Sequence, residues 1–329
     1  MRSDGRREQG VPMSRVAAID CGTNSIRLLV ADVTEAFDGQ KELRDLHREM
    51  RIVRLGKGVD ATGRLDPEAL ERTRVALVDY AVAARRKGAE RVRMVATSAT
   101  RDASNREDFF AMVRDTLGVE AEIISGDEEA RLSFVGAVGD LDPDDGPFVV
   151  TDVGGGSTEV VVGELRDGVA VVTAAKSVDM GSVRLTERCL PSDPPSEAEI
   201  DSARTVAGEV LAEAFASVPV ETAKTWVGVA GTITSLSGIA QELPAYDREQ
   251  VHGSTLTRED LHRVADLLIR SSRSEREKHG SLHPGRVDVI GAGSLVVQAL
   301  ADELHARAGI DRVVVSEHDI LDGIARSIA

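Results

Sequence analysis

The chain is poor in aromatic residues. Phenylalanine, tryptophan and tyrosine make up 3% of its 329 residues, with a single tryptophan and two tyrosines. That leaves few platforms on which bases stack, and a net charge of −16 opposes unspecific binding of nucleic acid. The two cysteines, Cys21 and Cys189, are too few for a disulfide scaffold and fit a reducing cytoplasm. Cys21 reads as a small buried filler rather than a reactive thiol. No apolar run reaches the ~18 residues of a membrane-spanning helix, so no membrane contact is expected. The opening stretch, MRSDGRREQGVP, lacks the apolar core of a secretory signal. Residues 1–14 read as a disordered leader, with Met13 an alternative start. Also missing are HExxH, paired CxxC and a Ser/His/Asp signature, so zinc and acyl-enzyme chemistry have no support.

What is present centres on DVGGGSTE, from Asp152 to Glu159, between the apolar runs FVV and VVVGE. That pattern predicts strand, tight turn, strand. Gly154, Gly155 and Gly156 give a turn with no Cβ in the way, so backbone N–H groups can close on a phosphate. Ser157 and Thr158 add hydroxyls. Asp152 and Glu159 flank the loop with the oxygen ligands that Mg²⁺ prefers.

A second copy lies upstream. In AAIDCGTNSIRLLVAD, the residues Asp20, Gly22 and Ser25 have the D-x-G-x-x-S spacing that Asp152, Gly154 and Ser157 repeat 132 residues later. A repeat sets the architecture. Two related halves, each with a phosphate-holding hairpin, imply a polyphosphate ligand gripped in a cleft between them. Because the whole chain is acidic, an anionic ligand must be drawn in by a local basic patch.

The order of elements follows the same division. Strands are expected over residues 15–20, 25–32 and 48–55, then a helix capped by Asp66 with Pro67 in its first turn and ended at Gly88. A strand over 92–96 follows, then a helix opened by a Ser104/Glu107 capping box and a strand over 120–124. Residues 125–138, with a Ser125/Glu128 box, form the helix that joins the halves. The second half repeats the order with strands over 148–152, 158–164 and 169–177. A helix over 197–217 and a strand over 226–230 come next, then helices over 258–271 and 286–305, a strand over 313–316 and a helix over 317–328.

Glu129 sits in the first turn of the joining helix. A carboxylate there can face the cleft and orient a water on phosphorus; charge complementing the helix dipole is the commoner reason for acids in a first turn, but Glu128 can be spent on the capping box, which leaves Glu129 free. Arg101, in the loop after strand 92–96, suits a transferring phosphate, or simple solvation. Gly231 and Thr232, at a strand-to-helix turn in GVAGTITSL, make an anion site. Arg286 and the loop carrying His252 and Gly253 can approach the same cleft, His252 reading more readily as a solvated loop residue. Lys57 is a further candidate for substrate affinity.

Together DCGTNSIRLLV, ATSATR, IISGDEEARLSF, DVGGGSTE, VAGT and VIGAGSL closely resemble, in order, the motifs of the exopolyphosphatase and guanosine pentaphosphate phosphatase family. That family is part of the superfamily of actin, chaperone ATPases and sugar kinases. The resemblance covers nearly all of the chain after residue 14. It implies an α/β fold of two ribonuclease H-like domains with a cleft between them, over residues 15–131 plus 317–329 and over 132–316. The final helix would return to the first domain.

It implies that Glu129 is the catalytic base, that Arg101 binds substrate phosphate, and that Asp152 and Glu159, with Asp20, place Mg²⁺ or Mn²⁺. Gly22, Thr23, Asn24 and Ser25 would hold phosphates, as would the residues from Gly154 to Thr158 and Gly231 with Thr232. The implied activity is removal of terminal phosphate from inorganic polyphosphate by a cytoplasmic homodimer. The alternatives are hydrolysis of guanosine pentaphosphate, or a nucleotide-binding regulatory module. A sugar kinase needs a purine platform that the sequence does not offer. Longer relatives carry an extra helical domain for which this chain ends too early, so short polyphosphate is the expected substrate.

Overall fold

The structure, a computed structural model, describes residues 13–35 and 41–328. Most of the expected leader lies outside the described residues; Met13 and Ser14 open the first strand.

The first half begins with β1 (Met13–Cys21), β2 (Ser25–Glu35) and β3 (Lys41–Ile52), an antiparallel meander. The short α1 (Val59–Thr62) and the long α2 (Pro67–Lys87) lead to β4 (Arg91–Ala96). Then come α3 (Ser98–Asp102), α4 (Arg106–Leu117) and β5 (Ala121–Ile123). The sheet order is β3-β2-β1-β4-β5, with β4 and β5 parallel to β1. Asp66 caps α2 as its sequence requires, accepting from the N–H groups of Glu68 at 2.8 Å and Ala69 at 3.3 Å. Ala69, Ala76, Leu77, Tyr80 and Ala84 of α2 are buried against the sheet, a helical spacing.

The second half opens with α5 (Gly126–Val138), followed by a second antiparallel meander of β6 (Phe148–Val153), β7 (Thr158–Arg166) and β8 (Val169–Val178). Then come α6 (Ser182–Cys189), α7 (Glu197–Ser217), β9 (Thr225–Val229), α8 (Ala230–Ala240), α9 (Arg248–Val251) and β10 (Thr255–Thr257). The chain goes on through α10 (Arg258–Arg270), α11 (Arg273–Arg276), α12 (Ile290–Ala308), β11 (Arg312–Val315) and α13 (Ile320–Ser327). Its sheet order is β10-β11-β9-β6-β7-β8. The strands β8-β7-β6-β9-β11 thus reproduce β3-β2-β1-β4-β5, the internal repeat seen as architecture. Trp226 at 2% exposure and Phe148 at 0% anchor this half; burying such side chains is worth ~1.5–3 kcal/mol each.

Two helices cross between the sheets. α5 packs on β6, β7 and β8, while α13 returns to β1 and β2 and lies against α5. Leu132 of α5 joins Ile320, Leu321 and Ile324 over the first sheet, whereas Phe134 and Ala137 face Val150 and Val161 of the second. Contact at the crossing is backbone on backbone. A Cβ on Gly136 would lie 1.8 Å from the Asp319 carbonyl oxygen, and one on Gly323 2.0 Å from that of Leu132.

Three expectations need correction. The third strand begins at Lys41, not near residue 48, and ends at Ile52. Its first half, KELRDLH, has no apolar alternation because β3 is an edge strand whose exposed side is charged. The Ser104/Glu107 capping box does not form: Ser104 Oγ donates to the Gly63 carbonyl and α4 starts at Arg106. At α5 only half of the box exists, since Ser125 accepts from the Glu128 N–H while the Glu128 carboxylate pairs with Arg93.

Candidate active site

The two hairpins have the same turn. Gly22 N–H donates to the Ser25 carbonyl at 3.0 Å, and Gly154 N–H to that of Ser157 at 3.1 Å. Their register matches too: Asp20 is paired with Arg27 and Asp152 with Glu159. The loops touch across the cleft, for a Cβ on Gly156 would lie 2.5 Å from Thr23 Oγ1 and 2.6 Å from Ser98 Oγ. Among the described residues, the N–H groups of Thr23, Asn24, Gly155 and Gly156 donate to no protein acceptor. All four residues line the cleft. Free N–H groups at a concave polar surface are what an anionic oxygen requires.

Glu129 reaches the same cleft from the first turn of α5, 8% exposed. Ser125 fixes that turn by capping the Glu128 N–H at 3.2 Å. Arg101, on α3, donates from Nη1 to Glu129 Oε2 at 3.1 Å and to the Ile124 carbonyl at 2.9 Å. Burial pushes the Glu129 carboxyl up to about 8, against the pull of Arg101 and with help from the charges of Asp20 and Asp152.

Charge divides the hairpins that geometry makes alike. In the first, Arg27 donates to Asp20 Oδ2 from Nη2 at 2.7 Å and Nε at 3.0 Å, and also reaches Asp319. In the second, Asp152 accepts from Ser133 Oγ at 2.7 Å and Glu159 from Ser177 Oγ at 2.7 Å, and neither makes a described ion pair. Burial pushes Asp152 up to about 6, with the charge of Asp319 adding to it. Glu159 is pushed well above the usual carboxylate range by burial and by Glu129 and Asp152.

Asp20 Oδ1 is buried with no partner. Asp20 and Asp152, both lining the cleft, offer hard oxygen donors. Among the described residues no three acidic, histidine or cysteine side chains stand close enough to enclose a metal ion by themselves. That set suits Mg²⁺, which takes one or two carboxylates and fills its other positions with water and substrate phosphate. It does not suit a metal that needs an all-protein cage.

The third wall is the start of α8. Gly231 and Thr232 line the cleft, and the Thr232 hydroxyl donates to the Val153 carbonyl at 3.1 Å, holding the turn against β6. Ala230, at the joint, has φ +69°, a left-handed conformation that costs a residue with a Cβ about 1 kcal/mol or more. Arg286 donates to the Gly231 carbonyl at 3.2 Å and makes no described ion pair. Burial lowers its pKa from the ordinary value. A half-buried guanidinium that makes no described pair with a carboxylate is ready for an anionic oxygen.

Asp20, Gly22, Thr23, Asn24, Ser25, Glu129, Asp152, Gly154, Gly155, Gly156, Ser157, Gly231 and Thr232 therefore share one cleft. Three expected site residues do not line it. Arg101 turns to Glu129, Thr158 donates its hydroxyl to the Met180 carbonyl at 2.6 Å, and Glu159 stands behind the loop at 1% exposure. His252 stacks on His318, ring centroids 4.5 Å apart, away from the lining residues. Cys21 is buried at 1% exposure. Sequence reasoning missed Arg27, Thr97, Ser182 and Ile320. Arg27 was discoverable: two residues past Ser25 on a strand, it must share that residue's face.

The model of the Ppx/GppA phosphatase family matches residues 29–328. The chain belongs to that family. It is 57% identical to Exopolyphosphatase 2 of Mycobacterium tuberculosis over 96% of this chain and 99% of the relative. The crystal structure of an exopolyphosphatase-like protein superposes with a TM-score of 0.91 at 42% identity, covering 96% of this chain and 98% of that one. The PPX-GPPA enzyme of Aquifex aeolicus does so at 0.77 and 33%, over 96% and 100%. The fold is thus that of the Ppx/GppA members of the actin-like ATPases, two ribonuclease H-like halves facing a cleft. No helix among the described residues is long and apolar enough to cross a membrane.

Proposed function

We propose that the chain is an exopolyphosphatase, hydrolysing the terminal phosphoanhydride bond of inorganic polyphosphate and releasing orthophosphate. One observation carries this reading: a buried Glu129, raised to about 8, faces a cleft walled by two matching hairpins with free N–H groups. The Thr23, Asn24, Gly155 and Gly156 amides and the Arg286 guanidinium hold phosphate oxygens. Glu129 accepts a proton from a water aligned on the terminal phosphorus. The new P–O bond forms as the bridging P–O bond breaks, and the shortened chain keeps the bridging oxygen. A base whose pKa lies near neutrality suits this task. Asp152 and Asp20 would hold Mg²⁺, or Mn²⁺ in its stead, with Glu159 supporting from behind the loop; the ion would neutralise phosphate charge.

Short chains should be favoured. A groove leading out past Asn24 carries Arg54, Lys57 and Arg273, but Arg54 is paired with Asp288 and Arg273 with Glu277. Beyond them the surface of a −16 chain repels a long polyanion. A second reading, hydrolysis of guanosine pentaphosphate, is favoured by a wider cavity beyond Arg286, where Tyr246, Met50 and Leu282 offer apolar lining for a base. Phosphate release with Mg²⁺ from tripolyphosphate, from chains of hundreds of units and from guanosine pentaphosphate, in one buffer, decides. The highest kcat/KM should fall to tripolyphosphate. A clear lead for guanosine pentaphosphate would select the second reading. A cytoplasmic location and a homodimer belong to the same proposal; light scattering of the purified protein tests the dimer.

A further inference from the structure

The carbonyls of the second glycine loop are all taken by one short helix. Ser182 N–H donates to the Gly154 carbonyl at 2.9 Å, and the Val183 and Arg184 N–H groups to that of Gly155 at 2.9 and 3.1 Å. Arg184 Nε then donates to the Gly156 carbonyl at 2.9 Å. With its carbonyls held from behind by α6, the loop turns its free N–H groups into the cleft.

The rest of the Arg184 guanidinium crosses to the other half of the molecule. Nη1 donates to Asp60 Oδ1 of α1 at 2.6 Å, and Nη2 to Asp102 of α3 and to Ser98 Oγ at 3.2 Å. Its side chain is 11% exposed, so its bonds to Asp60 and Ser98 are partly shielded from solvent, that to Asp102 less so. Helix α3 also carries Arg101, which holds Glu129. One guanidinium therefore ties the phosphate loop of the second half to the helix that orients the candidate base in the first. Arg188 and Glu187 widen the same seam, Arg188 to Asp60 at 2.6 Å and Glu187 accepting the Gly58 N–H at 3.0 Å, but neither touches the loop.

We infer that Arg184 is a positioning residue for catalysis: it clamps the glycine loop to α3 and so fixes where the bound phosphate stands relative to Glu129. The inference rests on the phosphatase reading. A planar fork that satisfies a carbonyl and two carboxylates at once is a task lysine cannot repeat. Arg184 meets no substrate. Its loss therefore shifts the reacting groups by a fraction of an ångström to an ångström and leaves most of the phosphate contacts in place. Misplacement of that size costs up to ~10²-fold in rate.

The test is phosphate release from tripolyphosphate with Mg²⁺ by the full chain carrying Arg184→Ala, Arg184→Lys, Asp102→Asn, the Arg184→Ala/Asp102→Asn pair, or Arg188→Ala. Arg184→Ala should lower kcat at least ~10-fold while KM changes by less than about threefold. Arg184→Lys should recover only part of the loss. The double variant should be no slower than the worse single one, because both break a single clamp. Arg188→Ala should stay within about twofold of wild type. If Arg184→Ala does not fold, Arg184→Lys and Asp102→Asn carry the same kcat test. Wild-type kcat in a folded Arg184 variant, multiplying losses in the double variant, or an equal loss in Arg188→Ala would each overturn the clamp. If the wild type releases no phosphate from any of the three substrates, the phosphatase reading alone fails. The clamp is then judged by urea unfolding of the same variants: the losses of stability in Arg184→Ala and Asp102→Asn should fall short of adding up in the double variant, and strictly additive losses would overturn it.

Discussion

The hairpins at Asp20 and Asp152 share a turn, a spacing and a register, yet they differ in the residue that faces the aspartate. The first has Arg27 and is neutralised within the protein. The second has Glu159 and is left with two buried carboxylates that make no described ion pair, Arg27 acting on Asp152 only from a distance. The repeat supplies phosphate-holding geometry twice; divergence at one strand position makes the halves unequal. One half keeps its own positive charge, and the other needs one from outside. On this account Mg²⁺ would be held chiefly by Asp152, with Asp20 the weaker ligand because Arg27 already meets part of its charge, and turnover belongs to Glu129.

The largest expected effect lies on the turnover side. Glu129→Gln is nearly isosteric and should lower kcat by ~10²–10⁴-fold, while calorimetry shows tripolyphosphate still bound. A kcat near that of wild type would remove Glu129 as the base.

Stability should change in opposite directions at equivalent positions. Arg27→Met leaves Asp20 and Asp319 buried without their cation and should cost about 3–5 kcal/mol in urea unfolding. At the matching position burial already pushes the Glu159 carboxyl toward its neutral form, so with chelator present Glu159→Gln should leave stability unchanged or raise it. Losses of equal size at both would erase the contrast.

A smaller effect should appear with pH. The Glu129 carboxyl lies at about 8 when folded against an ordinary value of 4.5, and Asp152 at about 6 against 3.8. A carboxyl raised on folding binds an extra proton in the native state between those values, so the contribution of these two groups to stability is fullest below about 4 and falls as pH rises toward 8. With chelator present the melting temperature should decline across that window, and Glu129→Gln should flatten the decline. A melting temperature that rises over the same range would contradict the charge account.

Much of this was legible in the residues, and the exceptions have physical causes. The spacing of Asp20, Gly22 and Ser25 against Asp152, Gly154 and Ser157 revealed both loops, because a tight turn between buried strands tolerates little variation. Asp66, Pro67 and Gly88 marked α2 because capping chemistry is local. The start of β3 was hidden because an edge strand with charged exposed positions carries no apolar alternation. Helix α6 and its Arg184 escaped because eight residues give too little periodicity, and the partners of Arg184 lie 82 and 124 residues away. Arg101 was recognised as belonging to the site but not as the partner of Glu129, since sequence cannot show which way a side chain turns.

The smallest expected effect separates two threonines with similar sequence surroundings. Thr23 lines the cleft, whereas Thr158 is bonded to Met180. Thr158→Val should cost about 1 kcal/mol of stability and leave KM unchanged. Thr23→Val should raise KM with little change in melting. The reverse pattern would mean that Thr158 faces substrate.

The central claim, that the second hairpin supplies the metal side of the cleft, is tested most directly by Mg²⁺ titration of phosphate release. Wild type, Asp20→Asn and Asp152→Asn would be compared at saturating tripolyphosphate. Asp152→Asn should raise the half-saturating Mg²⁺ concentration about tenfold or more, and Asp20→Asn by about threefold or less, because Arg27 already meets the Asp20 charge. An unchanged titration in Asp152→Asn, or a larger shift in Asp20→Asn, would contradict the account.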